Sequence, residues 1–248
     1  MPNIGRINAV REILKGTPQR ISRLLVLEER AGRSLQELRE LAASRDVPVQ
    51  EASRKRLDNL FPRHQGVVAV VSPRGYAPLS SLLNKDGQAF LVLLDGVQDP
   101  QNLGAILRAA EGAGVDGVIL PEKRSAGLTP AVTTASAGAA EHVPVVQVTN
   151  LVRTMEFLKK SGLWLVGADS EGERSWDQFD YRGPLGLVFG SEGRGLRPLV
   201  RRHCDVILSL PLAGRVTSLN VAAAAAVFMY EVVRQRRGPE VPVHPNPK

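Results

Sequence analysis

The sequence predicts an α/β protein built on a parallel sheet, preceded by a smaller N-terminal α/β unit. From Ala89 onward, short apolar segments alternate with segments of helical periodicity, a pattern typical of parallel strands covered by helices on both faces. Before them, residues 73–88 are rich in proline, glycine and serine, which indicates a linker. We therefore expect one domain over residues 1–72 and a second over residues 89–238.

The N-terminal unit is predicted to contain three helices and three strands. In chain order they are helix 8–14, strand 21–27, helix 34–44, strand 47–49, helix 53–61 and strand 66–71. Ser34 is expected to cap the second helix, because a serine side chain can accept a hydrogen bond from the first turn. Pro48 cannot donate to a strand ladder, so its strand should lie at a sheet edge.

The second domain is predicted to contain six strands and four helices. The strands are expected at 90–94, 117–120, 143–148, 163–167, 185–189 and 206–210, and the helices at 102–112, 151–160, 196–203 and 219–237. The linker is expected to carry a short helix. Four prolines mark residues 239–248 as a disordered tail.

The composition argues against a membrane protein, a secreted protein and a metalloprotein. The longest apolar run is Val221–Tyr230, shorter than the roughly 20 residues that a membrane-spanning helix needs. The first residues lack the apolar core of a secretion signal, so we expect a cytoplasmic protein. Cys204 is the only cysteine and the four histidines are scattered, so we expect no disulfide within the chain and no metal centre.

The chain is basic, with a formal net charge of +7. Residues 1–72 hold 13 Lys or Arg and 8 Asp or Glu, a net of +5, so most of the excess lies in the N-terminal unit. A basic surface favours nucleic acid, because binding releases condensed counterions. A solubilising surface is the alternative. The eleven aromatic residues are too few for a surface that stacks successive bases.

Three segments contain polar residues that local structure does not fully explain. The first, Asp95–Arg108, runs from a strand end into a helix, with Asp99 and Pro100 suited to its N-cap and first position. Asn102 and Arg108 then lie on a helix otherwise built of Gly, Ala, Ile and Leu. An ordinary surface arginine is the alternative interpretation of Arg108.

The second segment, Leu187–Leu196, leads from a buried strand into a loop with three glycines, Gly190 among them, and one carboxylate, Glu192. Glycines let the backbone approach a ligand, and open α/β sheets bind ligands at the carboxyl ends of their strands. No Gly-Lys-Ser/Thr follows, so this is not a Walker loop. A structural turn is the alternative. Elsewhere, Gly112–Gly117 closes a helix instead of opening one, which disfavours a dinucleotide site.

The third segment, Leu208–Val221, joins a strand to an alanine-rich helix. Ser218 is a natural candidate for the N-cap of that helix. Asn220, expected in the first turn of a buried helix, needs hydrogen-bond partners, and a bound ligand or nucleic acid is one candidate.

Together, the three segments resemble the three motifs of the SpoU branch (TrmH-like enzymes) of the SPOUT methyltransferases, in order and in spacing. The resemblance runs from Phe90 to about Arg237. The segments Asn8–Val10 and His64–Ala69 are similar to the substrate-binding extension of the RlmB-type rRNA enzymes, which transfer RNA members of the branch generally lack.

The resemblance implies a fold, a cofactor and a dimer. Members fold their C-terminal domain into an α/β knot, a deep trefoil knot that forms the pocket for S-adenosylmethionine. Gly190, Leu210 and Leu219 match residues that contact this cofactor, largely through backbone groups and apolar packing. Members are obligate homodimers with the active site at the interface, and the alanine-rich last helix is a reasonable dimer surface. No metal is implied.

The resemblance also implies methyl transfer to a ribose 2′-hydroxyl, expected here on a guanosine of large-subunit ribosomal RNA. Arg108 matches the catalytic arginine. The residues that match the supporting polar set are Asn102, Glu192, Ser218 and Asn220. A family proposal makes the arginine a base, but a guanidinium stays protonated in proteins. Alternatively, Arg108 holds the adjacent RNA phosphate, and that phosphate or Glu192 helps to take the proton.

Two other functions are compatible with this pattern: the same chemistry on transfer RNA, and a non-catalytic RNA-binding member of the fold. The complete set of matching polar residues argues against a decayed site. The basic N-terminal extension argues against transfer RNA, although such charges often serve only as a solvated helix face. The basic residues in question are Arg54, Lys55, Arg56 and Arg63. One departure, Ala222 where related rRNA enzymes often have serine, is not expected to affect the chemistry.

Overall fold

The structure is a computed structural model that describes residues 1–28, 32–82 and 88–237, which form two separate sheets. The N-terminal elements are β1 (Asn3–Gly5), α1 (Ile7–Gly16), β2 (Ile21–Leu27), α2 (Arg33–Ala43), β3 (Val49–Ala52), α3 (Arg54–Leu60) and β4 (Val67–Val71). The C-terminal elements are β5 (Phe90–Asp95), α4 (Pro100–Gly112), β6 (Gly117–Pro121), α5 (Pro130–Ala135), β7 (Val145–Val148), α6 (Leu151–Lys160), β8 (Trp164–Ala168), β9 (Arg174–Ser175), β10 (Leu185–Gly190), α7 (Pro198–His203), β11 (Val206–Ser209) and α8 (Val221–Arg237).

The N-terminal sheet has the strand order β1-β4-β2-β3. Strand β4 is antiparallel to both of its neighbours, and β3 runs parallel to β2 at the sheet edge, as the proline predicted. Helices α1 and α2 bury one face of the sheet, with Leu14 and Leu38 fully enclosed. Helix α3 covers the other face through Leu57. Alternating side chains of β2 and β4 therefore serve two small cores, which confirms the predicted α/β unit.

Within the described residues, the C-terminal sheet has the strand order β7-β6-β5-β10-β8-β11-β9, and each neighbouring pair is parallel. Its strands are apolar on both sides because α4 and α8 pack on one face and α6 and α7 on the other. The register of β5 and β10 pairs Asp95 with Gly190. The carboxyl ends of these two strands thus lie side by side, which brings the first two polar segments together.

The helix caps agree with the sequence prediction in one place and differ in another. Asp99 caps α4, since its Oδ1 accepts from Gln101 N at 2.9 Å, and Pro100 occupies the first position as expected. Helix α2, however, begins at Arg33 with Gly32 as the N-cap residue, so Ser34 lies within the first turn and is not the cap.

Several elements differ from the predictions, and the short strands β1 and β9 were not predicted. The strand expected at 47–49 lies at 49–52, because Pro48 contributes only its carbonyl, which accepts from Leu24 N at 2.8 Å. The short helix of the linker is a 3₁₀ turn at Leu79–Leu82. Helix α5 was missed because its six residues are too few for helical periodicity to show.

The two domains touch through α1, the turn Pro18–Arg20 and the segment around Glu141. Arg20 forms an ion pair with Glu141, whose side chain is fully buried, and Thr17 Oγ1 donates to the same carboxylate at 2.8 Å. Arg20 also donates to the carbonyl of Ser72 at 2.9 Å. Buried polar contacts therefore hold the N-terminal domain against the C-terminal domain.

Across the described ranges, no helix combines the length and the apolar character that a bilayer crossing demands. The predicted tail, residues 239–248, lies outside the described residues.

Candidate active site

The carboxyl ends of β5, β6 and β10 open into a cleft on the C-terminal domain. Its volume is about 490 Å³, within the range of roughly 300–1,000 Å³ of small-molecule sites. The loops that follow these three strands form its walls, at the sheet edge where open α/β proteins bind ligands. Two predicted site residues, Asn102 and Glu192, line it.

Three predicted residues, one from each polar segment, form a hydrogen-bonded set at this cleft. Asn220 Nδ2 donates to Asn102 Oδ1 and to Glu192 Oε1, both at 2.9 Å. Asn102 Nδ2 donates to the same Glu192 oxygen. Within the described residues, Glu192 Oε2 has no hydrogen-bond partner. We call these three side chains the amide–carboxylate network; it orients one carboxylate and leaves one of its oxygens available.

Asn220 also caps the last helix. Helix α8 begins at Val221, and Asn220 Oδ1 accepts from Ala222 N at 2.9 Å and from Ala223 N at 3.3 Å. Ser218, the candidate cap, lies too far before the helix to serve, and among the described residues its exposed side chain has no hydrogen bond. The prediction of a buried Asn220 is wrong as well: the residue is exposed, next to the cleft-lining Asn102 and Glu192.

The loop after β10 is closed by its own backbone. Ser191 and Gly195 exchange two N–H to carbonyl hydrogen bonds, at 3.1 and 3.0 Å. A Cβ at Gly190 would lie 2.1 Å from the carbonyl carbon of Gly195, so only glycine fits there. The tight turn thus accounts for Gly190 on structural grounds, and the same turn places Glu192 at the cleft.

A buried aspartate joins two walls of the cleft. Asp95, at the end of β5, accepts from Arg197 Nε at 2.6 Å and from the Arg197 backbone N–H at 2.9 Å. The guanidinium is the charged partner that a buried carboxylate needs. Neither residue was predicted as part of the site. Asp95 could have been noticed in the sequence, because it is a charged residue at the end of an otherwise apolar strand.

The segment between β11 and α8 suits a ligand held by backbone and apolar contacts. Among the described residues, the backbone groups of residues 211–218 make no hydrogen bonds. Leu210 packs against the core, whereas Val216 is 63 % exposed and Leu219 43 % exposed. Free polar groups next to exposed apolar side chains fit a molecule with a flat ring and hydrogen-bonding edges. The predicted cofactor residues Leu210 and Leu219 flank this segment.

Arg108 does not reach the network within its own chain. It lies six residues after Asn102 on α4, about 120° away around the helix axis. Its side chain is exposed, and within the described part of the chain it has no hydrogen bond or ion pair. The predicted catalytic arginine therefore faces away from the network.

Basic side chains of the cleft wall were not predicted from the sequence either. Lys123, Arg124 and Arg194 line the cleft. They lie in loops without periodicity, and only the three-dimensional structure brings them together. In the described ranges, no cluster of side chains has the composition of a metal site.

Comparison with known proteins identifies the family. Residues 89–230 match the sequence model of the SpoU rRNA methylase family. This chain belongs to the SpoU rRNA methylase family. Residues 7–77 of this family member match a second model, that of the RNA 2′-O ribose methyltransferase substrate-binding domain.

Relatives of this SpoU family member align along nearly the whole chain. The 23S rRNA (guanosine-2′-O-)-methyltransferase RlmB of Pseudomonas putida is 46 % identical over 236 residues, 93 % of this chain and 95 % of the relative. The putative TrmH family tRNA/rRNA methyltransferase YacO of Bacillus subtilis is 43 % identical, covering 92 % of this chain and 94 % of the relative. The crystal structure of the SpoU methyltransferase AviRb from Streptomyces viridochromogenes, in complex with AdoMet, matches with a TM-score of 0.80 at 27 % identity, covering 95 % of this chain and 90 % of that chain.

This SpoU family member is therefore a methyltransferase, and S-adenosylmethionine is its cofactor. The predicted α/β fold class, with a substrate-binding domain before a methylase domain, is confirmed. The deep trefoil knot stays a prediction.

Proposed function

We propose that this chain methylates the ribose 2′-hydroxyl of a guanosine in large-subunit ribosomal RNA. The observation that carries the proposal is the near full-length similarity to a relative named for that reaction. The N-terminal domain adds support, because it matches a substrate-binding model and holds most of the net positive charge.

The amide–carboxylate network is the proposed site of the target ribose. S-adenosylmethionine supplies the methyl group from a sulfonium centre. Glu192 Oε2 accepts a hydrogen bond from the 2′-hydroxyl and helps to draw its proton away, which makes that oxygen a better nucleophile. Asn102 and Asn220 fix the carboxylate in one orientation, so that the ribose oxygen is positioned for in-line attack. Ser218 lies exposed two residues before Asn220 and is proposed to support the ribose or the RNA backbone.

The cofactor is proposed to lie against the segment between β11 and α8. Leu210 and Leu219 offer apolar surface at its two ends, and the free backbone groups between them offer hydrogen bonds. Gly190 ends the neighbouring strand β10 and keeps the glycine-rich loop close to the sheet.

Arg108 is proposed to act from a second copy of the chain in a homodimer. It is exposed and unpaired within the described residues, and it faces away from the network of its own subunit. A symmetric dimer that packs α4 against a partner can place Arg108 of each copy near the ribose site of the other. There the always-protonated guanidinium holds an RNA phosphate.

The outer face of α4 and α8 suits such a dimer. Val227 is exposed and Tyr230 is 51 % exposed on α8, and Ala105 and Ala223 add small exposed side chains. A Cβ at Gly112 of α4 would lie 3.0 Å from the Tyr230 hydroxyl, so the two helices share this surface. Small side chains let two such faces approach closely, and aromatic residues are enriched at interfaces.

Mixing two inactive variants tests this arrangement. If Arg108 and Glu192 meet across the dimer, subunits carrying Arg108→Ala and Glu192→Gln should regain about a quarter of wild-type activity after unfolding and co-refolding, because half the random dimers have one intact site. Neither variant alone should be active. No recovery in mixed dimers whose formation is confirmed by native mass spectrometry would contradict the proposal.

A labelled methyl-transfer assay tests the substrate. Purified protein and labelled S-adenosylmethionine are incubated with unmodified large-subunit rRNA or with bulk transfer RNA. We expect label in the rRNA, in an alkali-resistant dinucleotide, because a 2′-O-methyl group blocks cleavage of the adjacent linkage. Preferential labelling of transfer RNA would support that alternative, and RNA binding without transfer would support a non-catalytic member.

The basic residues at and after α3 test the role of the N-terminal domain. Their replacement by alanine should lower rRNA affinity and leave S-adenosylmethionine affinity unchanged, because each phosphate contact adds to RNA binding. The residues to replace are Arg54, Lys55, Arg56 and Arg63. We also propose that residues 1–72 and 89–238 form the two domains and that residues 73–88 link them. The proposed location is the cytoplasm, where ribosomal RNA is available.

A further inference from the structure

The cleft beside the amide–carboxylate network has a basic wall that the proposed reaction does not use. Lys123 and Arg124 follow β6, and Arg194 lies on the loop after β10. In the described part of the chain, none of these three side chains makes a hydrogen bond or an ion pair. Arg197, in the same cleft, differs because Asp95 neutralises it at 2.6 Å. The wall therefore presents three cations that are available to a ligand.

The backbone that carries Lys123 and Arg124 is held in place. Ala126 N donates to Val97 O at 2.9 Å, and Ser125 Oγ donates to Pro121 O. Arg124 has φ of +65°, in the left-handed region that L side chains rarely adopt. Such strain persists only where the surroundings impose it, and it is concentrated at binding sites. The loop thus fixes the base of both side chains at the cleft.

The charges of the cleft define the chemical class of its occupant. Lys123 and Arg124 require an anionic group, whereas Glu192 requires a hydrogen-bond donor. A ribose–phosphate unit of RNA offers both, a phosphate and a 2′-hydroxyl. The described residues that line the cleft include no aromatic side chain, so no base can stack there on a protein ring. The cleft therefore suits the sugar–phosphate backbone better than the base.

We propose that Lys123 and Arg124 bind one of the two backbone phosphates that flank the target ribose, the other being available to Arg108 of the second copy, and that the cleft holds the RNA by its sugar–phosphate backbone. This inference rests on the proposed function, in that the target ribose lies at the network. Contacts to phosphate set affinity and position without reading sequence. The guanosine is then selected by contacts outside this cleft.

The test compares two variants that lose the same charge. The wall variant, Lys123→Gln with Arg124→Gln, removes two of the three cations of the wall. The control variant, Lys160→Gln with Arg202→Gln, removes two exposed cations from the last turns of α6 and α7. Glutamine keeps a polar end on a shorter stem and carries no charge, and thermal unfolding checks that each variant is folded. Binding is measured at several salt concentrations with a synthetic large-subunit rRNA fragment and with an unrelated single-stranded RNA of equal length.

We expect the wall variant to bind both RNAs about tenfold or more weakly than the control variant, with a salt slope shallower by about 0.7 for each lost phosphate contact. Affinity for S-adenosylmethionine should not change, and Arg124→Lys should retain most RNA affinity. Equal affinity and equal salt slope in the wall and control variants would overturn the inference. Because binding needs no turnover, a wild-type protein that fails to methylate rRNA would contradict the proposed function without affecting this comparison.

Discussion

Glu141 and Glu192 are both held by hydrogen bonds, but the first is buried between the domains and the second is exposed at the cleft. Glu141, between the domains, has a fully buried side chain that pairs with Arg20 and accepts from Thr17. Glu192, at the cleft, is exposed and is held by the neutral amides of Asn102 and Asn220. One carboxylate is enclosed by protein, and the other keeps an oxygen open to a ligand.

The difference shows how burial determines what a carboxylate can do. A buried carboxylate has lost its hydration, and a charged partner offsets that loss. Glu141 and Arg20 therefore stabilise the folded protein only while both are present. An exposed carboxylate held by neutral donors keeps both its position and its ability to interact with a ligand. We therefore expect changes at Glu141 to affect stability and changes at Glu192 to affect catalysis.

The largest expected effect on stability is that of Glu141→Ala. The change leaves the largely enclosed guanidinium of Arg20 without its carboxylate partner, and breaking a buried pair costs about 3–5 kcal/mol. The control is Glu37→Ala, which removes an exposed carboxylate near Arg11 and Arg33 and should cost less than about 1 kcal/mol. Urea unfolding measures both free energies; similar values for the two variants would show that the interdomain pair is not structural.

Asn220 allows stability and activity to be separated within one residue. Asn220→Ala removes the cap of α8, at a cost of about 1 kcal/mol, together with the donor to Glu192. Asn220→Asp keeps a good cap but replaces the amide donor by a second carboxylate beside Glu192. We expect both variants to lose at least about tenfold in methyl transfer, from a lost hydrogen bond to a charged group, and only Asn220→Ala to lose cap stability. Wild-type activity in Asn220→Asp would show that the network serves the helix alone.

The smallest expected effect is a pH dependence near the interdomain contact. Burial raises the pKa of Glu12, but hydrogen bonds from His142 and Lys15 outweigh burial and lower the pKa below its ordinary 4.5. A lowered carboxyl pKa stabilises the folded state above the ordinary value, and this contribution is lost as pH falls through the folded pKa. In urea unfolding, Glu12→Gln should thus be less stable than wild type at pH 7, with the gap closing in acid. If the difference in unfolding free energy between wild type and Glu12→Gln stays constant as the pH falls, the lowered pKa of Glu12 is contradicted.

The sequence could predict the network but not its surroundings. Asn102, Glu192 and Asn220 stood out because each is a polar residue in an apolar context at a strand or helix end, and the order of parallel strands brings such ends together. Asp95 and Arg197 lie 102 positions apart, and Arg20 and Glu141 lie 121 apart. Periodicity describes one element at a time, so it could not show which loop ends meet. The spacing of six positions on a predicted helix, by contrast, was enough to place Arg108 about 120° around the helix axis from Asn102.

The most direct test of the account is the single-turnover rate of methyl transfer by Glu192→Gln, with rRNA and S-adenosylmethionine both saturating. If Glu192 draws the proton from the ribose hydroxyl, the rate should fall by at least about 100-fold, while cofactor affinity and unfolding free energy stay at wild-type values. A rate within about twofold of wild type would contradict the account, because the exposed carboxylate would then take no part in the reaction.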